Sequence, residues 1–184
     1  RNEILDALYR HPACVVEGET GSGKTTQVPQ YILEEATERN EPVMVICTQP
    51  RRISAIGVAE RVAAERGEGA AGNGAVGYAV RGESRAGPNT RLLFCTTGVL
   101  LRRLEADPEL DGVTHVLVDE VHERTLEGDF LLMALGELLD KGREGSRTRK
   151  LSVAMMSATM DGDVLAEYFS SPGAPPVPRV RFPG

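Results

Sequence analysis

Short continuous apolar runs alternate along this chain with stretches in which apolar residues recur every three or four positions. The runs are Cys14-Val15-Val16, Val43–Thr48, Val113–Val118 and Leu151–Ser157. Their length and β-branched content predict buried strands. Between them, helical periodicity predicts helices over 1–9, 24–39, 52–66, 97–105, 127–141 and 161–169, the second with Ile32 and Leu33 apolar against Glu34, Glu35 and Glu38. Pro50 closes one strand and Pro108 follows the helix over 97–105. Glycines at 67, 69, 72, 74 and 77 mark a loop, with short strands near 76–80 and 91–95. This alternation predicts an α/β fold: a parallel sheet with helices on both faces, in three layers, and functional loops at the carboxyl ends of the strands. No internal repeat is present. Gly142–Lys150 reads as a flexible surface connection, and the Pro-rich tail from Pro172 as an extended linker. The expected organisation is one domain over 1–171 and a linker over 172–184.

Composition narrows the classes. With 184 residues and 41% hydrophobic content the chain can bury a substantial core. A formal charge of −6 argues against a globally basic nucleic-acid module, while Arg51, Arg52, Arg81, Arg85, Arg102 and Arg103 fall in three loop-rich segments that could form a local basic track. Aromatic residues make up 4% and tryptophan is absent, which disfavours a platform that stacks single-stranded bases. Cys14, Cys47 and Cys95 each sit inside a predicted strand, as reduced core residues do. The apolar runs fall well short of a membrane span and no secretory pattern opens the chain, so a monomeric, intracellular protein, cytoplasmic or nuclear, is expected.

Two stretches carry chemistry. Residues 18–25, G-E-T-G-S-G-K-T, fill the pattern Gly-x-x-x-x-Gly-Lys-Thr between a predicted strand and a predicted helix. In that context it is a phosphate-binding loop. Gly18, Gly21 and Gly23 allow positive φ, so that successive N–H groups, including those of Glu19, Thr20, Ser22 and Thr26, face the β- and γ-phosphates ahead of the helix's positive end. Lys24 adds a cation and the Thr25 hydroxyl a ligand for Mg²⁺. The second stretch is V-T-H-V-L-V-D-E-V-H-E-R, whose apolar strand delivers Asp119 and Glu120 to a carboxyl edge. Asp119 is expected to hold Mg²⁺ through water, with Glu120 beside the metal and acting as the base that orients and deprotonates the attacking water. A zinc site at His122-Glu123 fails for want of a second histidine at the required spacing, and His11 and His115 read as structural.

G-E-T-G-S-G-K-T-T-Q, T-Q-P-R-R-I-S-A-I-G-V-A-E-R-V-A, F-C-T-T-G-V-L-L-R-R-L, D-E-V-H-E-R and M-S-A-T follow one another along residues 18–159. Together they resemble the first RecA-like lobe of a DEAH/DExH-box RNA helicase of superfamily 2, most like the branch containing RNA helicase A. The resemblance implies an ATP-dependent enzyme, open to other NTPs, that uses Mg²⁺ and grips single-stranded RNA by its backbone. It implies RNA contacts at Thr48, Arg51 and Arg52, at Thr96, Thr97 and Gly98, and at Arg81 in G-Y-A-V-R. Arg61 matches an arginine that packs on the nucleotide base, and His122 a residue that reaches toward a second lobe. Ser157 and Thr159 match the motif that couples hydrolysis to lobe movement. A second RecA-like lobe and C-terminal accessory domains are the implied partners.

Two departures stand out: Gly82 follows Arg81 where relatives carry an aromatic or aliphatic residue, and the tail P-V-P-R-V-R-F-P differs from the usual P-G-R-T-F-P. No Q-x-x-G-R-x-G-R stretch, the source of an arginine finger, occurs. The expectation is therefore an ATPase lobe cut from a longer enzyme and nearly inactive alone. Two other readings remain open: a nucleic-acid-stimulated ATPase that remodels ribonucleoprotein or DNA without unwinding, and a catalytically idle RNA-binding scaffold. The intact Lys24, Thr25, Asp119 and Glu120 disfavour the scaffold.

Overall fold

A computed structural model describes residues 1–143, 150–158, 162–170 and 176–182. Its eight strands form one sheet: β1 (Ala13–Glu17), β2 (Val45–Gln49), β3 (Val76–Val80), β4 (Glu83–Arg85), β5 (Leu92–Thr96), β6 (His115–Val118), β7 (Ser152–Ser157) and β8 (Arg179–Arg181). Six helices accompany them: α1 (Asn2–Arg10), α2 (Lys24–Glu38), α3 (Arg52–Glu65), α4 (Thr97–Ala106), α5 (Leu126–Arg143) and α6 (Gly162–Tyr168). The strand order is β4-β3-β5-β2-β6-β7-β1-β8. Every pairing is parallel except that of β3 with β4.

The strand side chains alternate between two apolar layers. Cys14 and Val16 join Val28, Ile32, Ala59 and Val62 beneath α1, α2 and α3. Val15, Ile46 and Val118 join Leu100, Leu131 and Leu135 beneath α4, α5 and α6. The three-layer α/β/α expectation and its helix and strand order are thus realised. The three cysteines are buried and free; burial pushes the thiols of Cys14 and Cys95 up to about 12 and raises that of Cys47 as well.

One register row crosses the sheet through Ala79, Cys95, Thr48, Val118, Met155 and Val15. Because these strands are parallel, the residues just beyond that row all emerge on one edge. These are the phosphate loop after β1, Gln49, Thr96, Asp119 with Glu120, and Ser157. The fold positions the chemistry by this register alone.

Three features differ from the sequence reading. β2 and β6 each begin two residues later than their apolar runs. Glu83–Arg85 forms an unexpected strand, reached from β3 by a tight turn in which Gly82 takes φ +81°, so this departure from the family pattern supplies the turn's positive-φ position. The described part of the stretch expected to be a linker joins the sheet: β8 pairs with β1, and Val177, Val180 and Phe182 are buried. Most of Gly142–Lys150 lies outside the described residues, as does Thr159.

Leu117 is fully buried in β6. Leu117→Ala is expected to lower the unfolding free energy by about 2–5 kcal/mol, seen as an earlier urea midpoint. A loss below about 0.5 kcal/mol would be that of a surface position and would place this residue outside the core.

Candidate nucleotide-binding site

The loop between β1 and α2 turns through Gly21 (φ +82°) and Gly23 (φ +93°), values that side chains resist, whereas Gly18, expected to share them, does not take a positive φ and is instead closely approached by Phe182. Glu19 and Thr20 form its exposed tip, and the Ser22 N–H donates to the Glu19 carbonyl at 3.1 Å. Lys24 opens α2 with 3% exposure, its Nζ 3.4 Å from the Glu19 carbonyl oxygen. Ser22 Oγ is buried without a hydrogen-bond partner among the described residues. A loop with a buried ammonium and an unsatisfied hydroxyl at a helix N-terminus suits an anionic group with several acceptor oxygens.

The carboxylate of Asp119 is the node of the site. Thr25 Oγ1 donates to its Oδ2 at 2.6 Å, Gln49 Nε2 donates to the same oxygen at 2.8 Å, and the Glu120 N–H donates to Oδ1 at 2.9 Å. The phosphate loop and the strand-end acids therefore meet, although Thr25 and Asp119 lie 94 positions apart. Gln49 was not among the residues singled out from sequence. Its signal was a polar residue closing an otherwise apolar strand.

Glu120 sits at φ +54°, a left-handed backbone that a non-glycine residue adopts at a cost and that aims its side chain into the cleft. Its Oε2 lies 3.4 Å from His122 Nε2, and the Ala158 N–H donates to His122 Nδ1 at 3.2 Å. Nδ1 must accept in that bond, so in the neutral ring Nε2 carries the proton and faces Glu120. Burial raises the Glu120 pKa above its ordinary value; the charge of Asp119 adds to the rise, and Lys24 and His122 oppose it. His115 is likewise shifted, down to about 4, first by burial and then by Lys150, and stays neutral next to the Thr114 hydroxyl.

Gly23, Lys24, Thr25, Gln49, Arg61 and Glu120 line a cleft of about 410 Å³. Arg61 reaches its rim from α3 and pairs with Glu65 at 2.9 Å, its side chain 69% exposed. The residues expected to meet RNA divide into two groups. Arg51, Arg52 and Arg81 are exposed on the same edge: Arg51 pairs with Glu123 at 3.6 Å, and Arg52 donates to the Arg81 carbonyl at 2.8 Å. Thr48 and Thr97 are buried, and Thr48 Oγ1 has no hydrogen-bond partner among the described residues. Thr96 and Gly98 flank the start of α4, with Gly98 facing the Glu127 carboxylate. Ser157 is buried at the end of β7, where its carbonyl accepts the Gly18 N–H at 3.1 Å.

A phosphate loop facing a strand-end acidic pair, on a parallel sheet covered by helices on both sides, defines a RecA-like P-loop NTPase domain. The chain belongs to the DEAD/DEAH box helicase family, whose sequence profile matches residues 1–168. It is 51% identical to the DExH-box ATP-dependent RNA helicase DExH3 of Arabidopsis thaliana over 185 aligned positions, covering 100% of this chain and 15% of that protein. It is 50% identical to the putative ATP-dependent RNA helicase DHX57 of Homo sapiens over 100% of this chain and 13% of that protein. Against human ATP-dependent RNA helicase DHX29 the identity is 49%, over 92% of this chain and 12% of the relative. The chain thus spans only about an eighth to a sixth of the length of these relatives. Among the described residues no helix is long and apolar enough to cross a membrane.

In the nucleotide-free chain, a carboxyl NMR titration is expected to place the Glu120 midpoint above that of an ordinary glutamate, and Asp119→Asn is expected to lower it. The folded chain then binds this proton more tightly than the unfolded one. Glu120 therefore favours folding more as pH falls through the raised value, and is ionised only above it. A midpoint unmoved by Asp119→Asn would remove the neighbouring charge as a cause.

Proposed function

We propose that this chain is the nucleotide-binding lobe of an NTP-dependent helicase that couples hydrolysis to movement along, or unwinding of, RNA. The observation that carries the reading is the convergence of Lys24, Thr25 and Glu120 on one cleft, with Asp119 bonded to Thr25 at its wall, in a chain of the DEAD/DEAH box helicase family. The relatives' names, all ATP-dependent RNA helicases, support ATP as the nucleotide and RNA as the polymer.

In this reading the backbone N–H groups of the loop and the Lys24 ammonium bind the β- and γ-phosphates. Lys24 exchanges its long contact with the Glu19 carbonyl for stronger charge-assisted ones. Thr25 Oγ1 and Asp119 Oδ2, 2.6 Å apart, are hard oxygen donors of the kind Mg²⁺ takes, so these two residues would hold it. When bound, Mg²⁺ supplies charge neutralisation on the phosphates. Gln49 fixes the Asp119 carboxylate in place. Glu120, its carboxylate reactive because it is partly desolvated, accepts a proton from the attacking water, and the Nε2–H of His122 orients it. Arg61 packs on the base at the rim of the cleft. Arg51, Arg52 and Arg81 contact RNA phosphates, with Thr96 and Gly98 beside them. Thr48 reaches RNA only if its strand end opens, since its hydroxyl is sealed in this conformation, and Thr97 is largely buried at the start of α4. Ser157 and Thr159 relay the state of the site to a second RecA-like lobe, with residues 1–171 and the docked strand β8 together forming the first lobe.

Lys24→Ala is expected to weaken nucleotide binding at least tenfold in a fluorescent-ATP titration. Glu120→Gln is expected to keep binding within a few-fold and to abolish turnover in the full-length protein. Equal loss of binding in both variants would overturn the assignment of Glu120 as the base.

Residues 1–184 alone are expected to hydrolyse ATP very slowly, because an arginine finger, worth roughly 10³–10⁵ in rate, would come from another lobe. Robust RNA-stimulated phosphate release by this chain would contradict that.

A further inference from the structure

Glu17 ends β1 directly before Gly18 and is 7% exposed. A buried carboxylate at the root of an anion-binding loop needs an explanation, because its charge opposes the phosphates the loop is built to hold. Its partner lies 162 positions later, in β8. Arg179 Nε donates to Glu17 Oε1 at 3.1 Å and Nη2 donates to Oε2 at 3.2 Å, a two-pronged grip. The remaining nitrogen, Nη1, pairs with Asp163 in the first turn of α6. Gly162 lies against the same carboxylate: a Cβ there would collide with Glu17 Oε1, so any side chain at this position would have to push the carboxylate aside.

The backbone is tied at the same point. The Phe182 N–H donates to the Glu17 carbonyl at 2.6 Å, while Gly18 faces the Phe182 Cβ, 3.0 Å from where its own Cβ would be. Two residues farther on, the Glu19 carbonyl is the group that Lys24 touches. The grip on Glu17 therefore sits a short step from the lysine that binds phosphate.

We infer that Arg179 is a positioning residue for nucleotide binding: it neutralises the Glu17 carboxylate and anchors the root of the phosphate loop, so the loop's fitness for a triphosphate depends on β8 being docked. This rests on the nucleotide reading above. Neutralisation distinguishes it from a purely structural tie. If Arg179 acts on the charge, deleting its cation harms binding because Glu17 is left bare, and removing that carboxylate as well undoes the harm. A purely structural tie predicts the reverse, with each further loss of contact weakening binding.

The test is a titration of the chain with a fluorescent ATP analogue and Mg²⁺ at low salt, on variants shown to be folded by circular dichroism. Arg179→Met keeps the apolar stem and is expected to bind on the order of tenfold more weakly, the size of one uncompensated charge at several ångströms near a surface. The loss should shrink as salt is raised. Glu17→Gln with Arg179→Met should recover most of it, and Glu17→Gln alone should bind somewhat more tightly than the unaltered chain. The inference is overturned if Arg179→Met binds normally, if the double variant binds as weakly as the single one, or if Glu17→Gln weakens binding. Should Arg179→Met fail to fold, Glu17→Gln alone still decides: tighter binding supports the inference and weaker binding overturns it. Lys24→Ala serves as the control: if it binds normally, the nucleotide reading itself has failed, whereas its loss beside an unaffected Arg179→Met refutes only the positioning role.

Discussion

The site depends on a single carboxylate oxygen. Asp119 Oδ2 receives hydrogen bonds from Thr25 and Gln49 at once, and this brings the ends of β1, β2 and β6 to a common point. Neither donor is close to Asp119 in sequence, so the node exists only when the strands are in register. A one-residue slip of a strand carries every side chain to the opposite face of the sheet, and would send Gln49 and Asp119 into different layers. The fully buried apolar residues of β1, β2 and β7 make such a slip costly. Core packing and site geometry are here the same constraint.

From that node the structure spreads outward by short polar steps. Asp119 fixes the backbone of Glu120, Glu120 faces His122, and His122 accepts the N–H of Ala158 at the end of β7. A change in the protonation or position of Glu120 therefore meets, within two side-chain contacts, the strand that also holds Gly18 through the Ser157 carbonyl. Nucleotide loop, acidic pair and β7 form a circuit of polar contacts, hydrogen-bonded at every step except the 3.4 Å approach of Glu120 to His122. The left-handed backbone at Glu120 is the cost of bending that circuit around the cleft.

How much of this was legible in the sequence follows from how local each signal is. The glycine spacing of residues 18–25 with its lysine and the acidic pair ending an apolar strand are local signals, and the structure brings them together. The layer order followed from alternating apolar runs. What escaped was set by register or by long-range pairing. Gln49 lies just past the apolar run Val43–Thr48, and nothing local shows that β6 sets Asp119 beside it. Thr48, read as an RNA contact from its motif, is covered because it occupies the buried register row between Cys95 and Val118. β4 is wholly exposed and carries no apolar alternation, and β8 spans three residues with only Val180 turned inward, so neither left a periodic trace. The Glu17–Arg179 pair could not be read at all, since nothing near either residue announces the other.

The buried thiols have a practical corollary. Each of the three sulfurs is sealed within the sheet and held as its unreactive neutral form, so maleimide-type reagents find nothing to alkylate while the chain stays folded. The chain is in effect a cysteine-free background for labelling. A single cysteine introduced at the solvent-facing turn of Arg81 and Gly82 would carry a dye or spin probe alone.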